Sequence, residues 1–241
     1  MSGKGAAVLH DDSAVGLWVA QHPETAEVFE MLQIDYCCDG NKPLENACWE
    51  NGLEVLRVHS LLAHTMAESA NADQPDWLHA SLTQLCDHIE QTHHALLKSS
   101  LPMLGDLISE IVSLHSQTHE GLRDVQLSFV AWRDEIVALM EEEEASLFPA
   151  IRRLEVDGNG SPSDKDFIST MIHRVTSEHT DIGEALKMTR KAGKNASATK
   201  DGSTKISRMY GLLRWVESDV RHHVHIEESI LFPRVLAALA S

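Results

Sequence analysis

Apolar positions recur every three to four residues over four long stretches of this chain, and no stretch alternates as a half-buried strand requires. From 77 to 114 the apolar rows are Leu78, Leu82, Leu85 and Ile89, then Leu97, Leu101, Leu104, Ile108 and Ile111. From 122 to 154 the row is Val125, Phe129, Trp132, Ile136, Leu139 and Leu147. Ile168, Met171, Ile172, Val175, Ile182 and Leu186 mark a third row over 165–191, and Met209, Leu213, Val216, Val220 and Leu231 a fourth. Polar or glycine-bearing segments, 157–162 and 192–203, separate the later stretches. This spacing predicts an all-α protein whose residues 77–238 form an up-down-up-down four-helix bundle. Pro102 predicts a kink in the first helix, and Ser163 or Asp164 can cap the third. Ahead of the bundle, residues 12–66 carry short helical stretches near 15–20, 25–31, 44–51 and 53–66, a small helical domain. The polar segment 68–76, with Pro75, reads as a linker.

Five polar residues interrupt the apolar rows: His94, Glu143, His179, His223 and Glu227. A buried carboxylate without positive compensation costs several kcal/mol, so metal is the economical reading. Carboxylate and imidazole together suit iron, manganese or zinc. An internal repeat strengthens it. Glu143-Glu144-Ala145-Ser146-Leu147-Phe148-Pro149 is matched by Glu227-Glu228-Ser229-Ile230-Leu231-Phe232-Pro233. His223 stands one turn before Glu227, on the same helix face, but Leu139 occupies the corresponding place before Glu143. The rest of the run Glu141–Glu144 reads as a solvated face, and His93, His222 and His225 as surface residues or outer neighbours. His115 follows His94 by 21 residues, about 31 Å along a straight helix, so the two cannot share one centre.

Charge and composition narrow the functional classes. The 241 residues carry a formal charge of −17, which argues against a nucleic-acid partner because phosphate contacts need clustered Lys and Arg. No apolar run reaches the length of a membrane span, and the first residues lack a secretory apolar core. The expectation is a soluble cytoplasmic protein with no membrane partner. Four cysteines at uneven spacing do not make a disulfide scaffold. Cys37 and Cys38 are adjacent, and adjacent cysteines rarely close a good disulfide. Residue chemistry alone favours two small semi-buried residues. Asp35 and Asp39 beside them would raise, not lower, a thiol pKa.

Taken together, several motifs resemble the hemerythrin-like domain: Leu85 through His94, Leu101-Pro102, Glu143 through Pro149, Ser177-Glu178-His179, and His223 with Glu227 and Leu231-Phe232-Pro233. Ile34 through Gly40, followed by Leu44, Ala47 and Cys48, is similar to the short domain that precedes the bundle in the iron–sulfur cluster repair di-iron family. The resemblance covers nearly the whole chain. It implies a non-haem di-iron cofactor with His94, His179 and His223 as terminal ligands and Glu143 and Glu227 as bridges. Leu139 departs from the family pattern, which has a histidine there, so one iron would be under-ligated. The implied function is repair of iron–sulfur clusters damaged by oxidative or nitrosative stress, by iron donation. Cys37 and Cys38 would serve as a redox or iron relay and damaged iron–sulfur proteins as partners. The alternatives are a nitric oxide reductase at an open iron position, or an oxygen or nitric oxide sensing or iron-storage module. A homodimer is also expected, because the N-terminal unit has little core of its own.

Overall fold

In the computed structural model, which describes residues 9–37, 39–69, 76–119, 121–158, 161–197 and 204–240, all regular elements are helical. Among the described residues the only β contact is an isolated bridge between Ala14 and Pro43. Two compact units result, one from Met1–Ser81 with Val224–Arg234, the other from Leu82–His223 with Val235–Ser241.

The first unit contains α1 (Val15–Gln21), α2 (Thr25–Leu32), α3 (Leu44–Glu50) and α4 (Val55–Ser69). Val15, Trp18, Phe29, Ile34, Tyr36, Leu44 and Leu62 are buried there. Gln33 ends α2 in the left-handed region at φ 60°. The chain then turns through Asp35, Tyr36 and Cys37 to Gly40, whose carbonyl accepts from the Gly16 N–H at 2.8 Å. Both glycines are needed for space. A Cβ on Gly40 would stand 2.6 Å from the Tyr36 carbonyl oxygen, and one on Gly16 would meet the Gly40 oxygen and Ser229 Oγ at 3.0 Å each. Backbone that close cannot yield cheaply, so Gly40→Ala is expected to destabilise this unit by about 1–3 kcal/mol. Limited proteolysis should show faster cleavage within residues 1–81; unchanged protection would contradict the crowding argument.

The second unit holds α5 (Leu82–His88), α6 (Ala95–His115), α7 (Leu122–Glu142), α8 (Phe148–Asp157), α9 (Pro162–Ser197), α10 (Thr204–Ile226) up to His223, and part of α11 (Phe232–Leu239). Helix α7 lies along α9 and against α6. The predicted rows are the buried ones: Leu97, Leu101, Ile108 and Ile111 face in from α6, Val125, Phe129, Trp132 and Ile136 from α7, Ile168, Val175 and Ile182 from α9. Two helix starts differ from the sequence reading. The first bundle helix begins at Leu82, not 77, because the Glu155 carboxylate accepts from the Leu82 and Thr83 N–H groups at 2.8 and 2.9 Å. That cap lies more than 70 residues away in sequence, beyond any local rule. Helix α9 begins with Pro162, capped by Ser161: the Asp164 N–H donates to Ser161 Oγ, and the Ser161 N–H donates back to Asp164, both at 3.2 Å. This is a capping box with proline in the first turn. Helix α6 continues through Pro102.

Candidate metal centre

Three of the five interrupting residues, His94, Glu143 and Glu227, sit at widened turns, whereas His179 and His223 lie within regular α-helix. Three π-helical segments join the α-helices: Ile89–His94 between α5 and α6, Glu143–Leu147 between α7 and α8, and Glu227–Leu231 between α10 and α11. His94 ends the first, while Glu143 and Glu227 begin the other two. The repeated Leu-Phe-Pro accounts for the last two. Pro149 and Pro233 have no N–H for the carbonyl four residues back. The preceding Phe148 and Phe232 donate instead to Glu143 and Glu227, five residues back. An extra residue in a turn advances the helix phase by about 100°, which reorients whatever the turn carries. Wide turns of this kind gather at functional sites.

The arrangement brings four of the predicted ligands together. His94, Glu143, His223 and Glu227 each offer a donor atom, all within 4.8 Å of one another, and all four residues are buried. His94 Nε2 is 3.0 Å from His223 Nε2 and 3.6 Å from Glu143 Oε2. His223 Nε2 lies 4.0 Å from the same oxygen. His179 is also fully buried; its ring lies 6.1 Å from that of His223, outside the four-donor group. Leu139 is buried at the turn before Glu143, where it helps to line a cavity of about 360 Å³ with Glu135, Glu142, Arg174, Glu178 and Asp181.

Electrostatics suit a cation. Burial holds His94, His179 and His223 below the ordinary imidazole range; for His94 the neighbouring His223 adds to this, and for His223 the Glu143 carboxyl opposes it. Neutral imidazoles offer lone pairs, the form that ligates metal. Two carboxyl groups, each 0 % exposed, surrounded by neutral imidazoles make a donor set that a divalent or trivalent cation completes. Nitrogen and carboxylate oxygen fit iron, manganese or zinc.

For the surrounding layer the sequence reading offered only His93, as a surface residue or outer neighbour. His94 Nδ1 meets Glu144 Oε1 at 2.9 Å, and Lys98 Nζ donates to Glu144 Oε2 at 2.6 Å. His93 Nδ1 meets Asp219 Oδ1 at 2.9 Å, and its ring stacks 6.2 Å from that of His223. Arg152 clamps Asp87 and Glu90 at the first π turn. His115 is remote from the cluster in sequence, its ring 5.8 Å from His119.

In the first unit, the Cys37 thiol donates to Asp35 Oδ1 at 3.2 Å, and the Cys37 backbone N–H donates to the same oxygen at 3.2 Å. Cys37 is buried, and Cys38 lies outside the described residues. Tyr36 contacts His225 edge-on at 5.6 Å, so His225 is a buried packing residue of this unit rather than a surface one.

A helical bundle with inward glutamates and histidines converging at π turns is a metal-binding bundle of the carboxylate–histidine class. Residues 87–235 match the hemerythrin HHE cation binding domain, and the chain belongs to that family. Residues 11–65 match a domain of unknown function, DUF542. Similar proteins include the iron-sulfur cluster repair protein YtfE of Enterobacter sp. (strain 638), 29% identical over 229 residues, covering 94% of this chain and 97% of the relative. The protein of the same name from Escherichia coli O157:H7 is 28% identical, over 95% of this chain and 99% of its own. A probable iron-sulfur cluster repair protein of Haemophilus influenzae is 27% identical, over 89% and 92% respectively. No helix among the described residues is long and apolar enough to cross a membrane.

Proposed function

We propose that this protein holds a non-haem di-iron centre and returns iron to iron–sulfur clusters damaged by oxidative or nitrosative stress in the cytoplasm. The observation that carries the reading is the buried four-donor group His94, Glu143, His223 and Glu227. It stands in a chain that aligns almost end to end with proteins named for iron–sulfur cluster repair. In this reading His94, His179, His223, Glu143 and Glu227 would hold the iron, the two glutamates being shared between the two ions, and residues 12–66 would carry the relay cysteines Cys37 and Cys38. Iron held here supplies a positive charge that hard carboxylate oxygens hold more tightly in the ferric than in the ferrous state.

The chain's own groups do the rest. Glu143 and Glu227 keep the iron cargo in a dry site, and reduction or protonation loosens their hold. Neutral imidazoles leave no competing charge. Cys37 hands its proton to Asp35 when the sulfur takes up iron, since the carboxyl already accepts the thiol hydrogen bond and a thiolate is the ligating form.

The test mixes iron-loaded protein and a reductant with an enzyme whose [4Fe–4S] cluster nitric oxide has damaged. Recovery should outpace that given by an equal concentration of free ferrous iron. Cys37→Ser with Cys38→Ser should keep the iron content and lose the advantage. Recovery no faster than with free iron would refute donation. Leu139 favours one other reading, turnover of nitric oxide at an open iron position; consumption of nitric oxide with an electron donor, and no cluster recovery, would establish it instead.

A further inference from the structure

We infer that Glu144, supported by Lys98, is the positioning residue that fixes His94 as a nitrogen ligand of the centre. This rests on the metal reading above, and goes beyond it in assigning work to a residue of an acidic run. His94 has two ring nitrogens. One, Nε2, lies in the donor group, 3.6 Å from Glu143 Oε2. The other, Nδ1, is 2.9 Å from Glu144 Oε1. A carboxylate is an acceptor only, so Nδ1 carries the proton and Nε2 keeps its lone pair among the buried donors. The same contact makes the ring a stronger electron donor and locks its plane, as carboxylate partners of metal-bound histidines do.

Lys98 completes the arrangement. It stands one turn after His94 on α6 and donates to the second Glu144 oxygen at 2.6 Å, which holds the carboxyl group aimed at the ring. The Lys98 and Glu144 side chains are 34% and 31% exposed, so their ion pair adds little to folding. What it adds is direction for His94, a ring with no solvent exposure at all.

The test uses full-length protein cleared of metal, titrated with Co²⁺ and with anaerobic Fe²⁺ against a competing chelator. Glu144→Ala should weaken binding about 10–100-fold and shift the Co²⁺ ligand-field bands, while the metal-free melting temperature stays at the wild-type value. Glu144→Gln keeps an acceptor for Nδ1 and should fall between the two. Wild-type affinity with unchanged bands in Glu144→Ala would overturn the assignment. So would a loss of affinity matched by an equal fall in metal-free stability, which would make the role structural. Wild-type protein that takes up neither ion would overturn the metal reading itself, a result distinct from either of these.

Discussion

Glu227→Leu should change the sign of its effect on stability when metal is added. Glu227 is 0 % exposed and belongs to a group whose histidines burial keeps neutral. Metal-free, the wild type therefore buries an ionisable carboxyl that would otherwise ligate the metal. Replacing buried ionic groups by apolar ones of similar size commonly stabilises by about 1–4 kcal/mol. For a chain of this length each kcal/mol raises the melting temperature by roughly 2–4 °C. With ferrous iron at a hundredfold over its dissociation constant, binding adds about 2.7 kcal/mol to the wild type. The variant, having lost a ligand, gains almost none of that. Thermal unfolding of both proteins, with a chelator and with iron, gives four curves. The variant should melt higher in chelator and lower in iron. If it melts lower in both, a positive group of the protein itself compensates Glu227, and the metal is not needed to explain the burial.

That crossing is the thermodynamic form of what the sequence displayed most openly. The apolar rows were legible because α6, α7 and α9 bury one face each, and a 3.6-residue period records which face. Polar residues on those rows stood out for the same reason, and four of the five named ligands, His94, Glu143, His223 and Glu227, come within one donor group. The π turns were hidden, because hydrophobic spacing does not register one added residue. The clue was chemical: proline after Leu-Phe in both copies, which removes a donor at the place where the turn widens. Glu144 was hidden for another reason. Its partner His94 lies 50 residues away, and an acidic run by itself suggests solvent. Glu155 capping α5 is the same kind of case. Local rules find elements, whereas contacts between elements decide which charged residue does something.

Leu139→His is expected to convert one firmly held metal into two. Leu139 lies one turn before Glu143, as His223 lies one turn before Glu227, so the two copies differ by a single ligand. The loss of one outer partner already costs 10–100-fold in affinity in typical sites, and the loss of a direct ligand should cost at least as much. Challenged with a chelator after iron loading, the wild type should keep about one iron per chain and the variant about two, on that same reasoning. The variant should also release its second iron more slowly. Without metal it should be less stable than wild type by about 1–3 kcal/mol, because an imidazole then replaces a leucine at a position 2% exposed and must find a hydrogen-bond partner there. Two irons retained by both proteins would mean that another group fills the place, with the cavity-lining carboxylates Glu135, Glu142 and Glu178 the first to replace by glutamine. One iron retained by both would mean that Leu139 is not what limits the second site. A weak second site filled by the single substitution would tie the ease of iron release to one side chain, and cluster recovery should then slow in Leu139→His in step with the slower release.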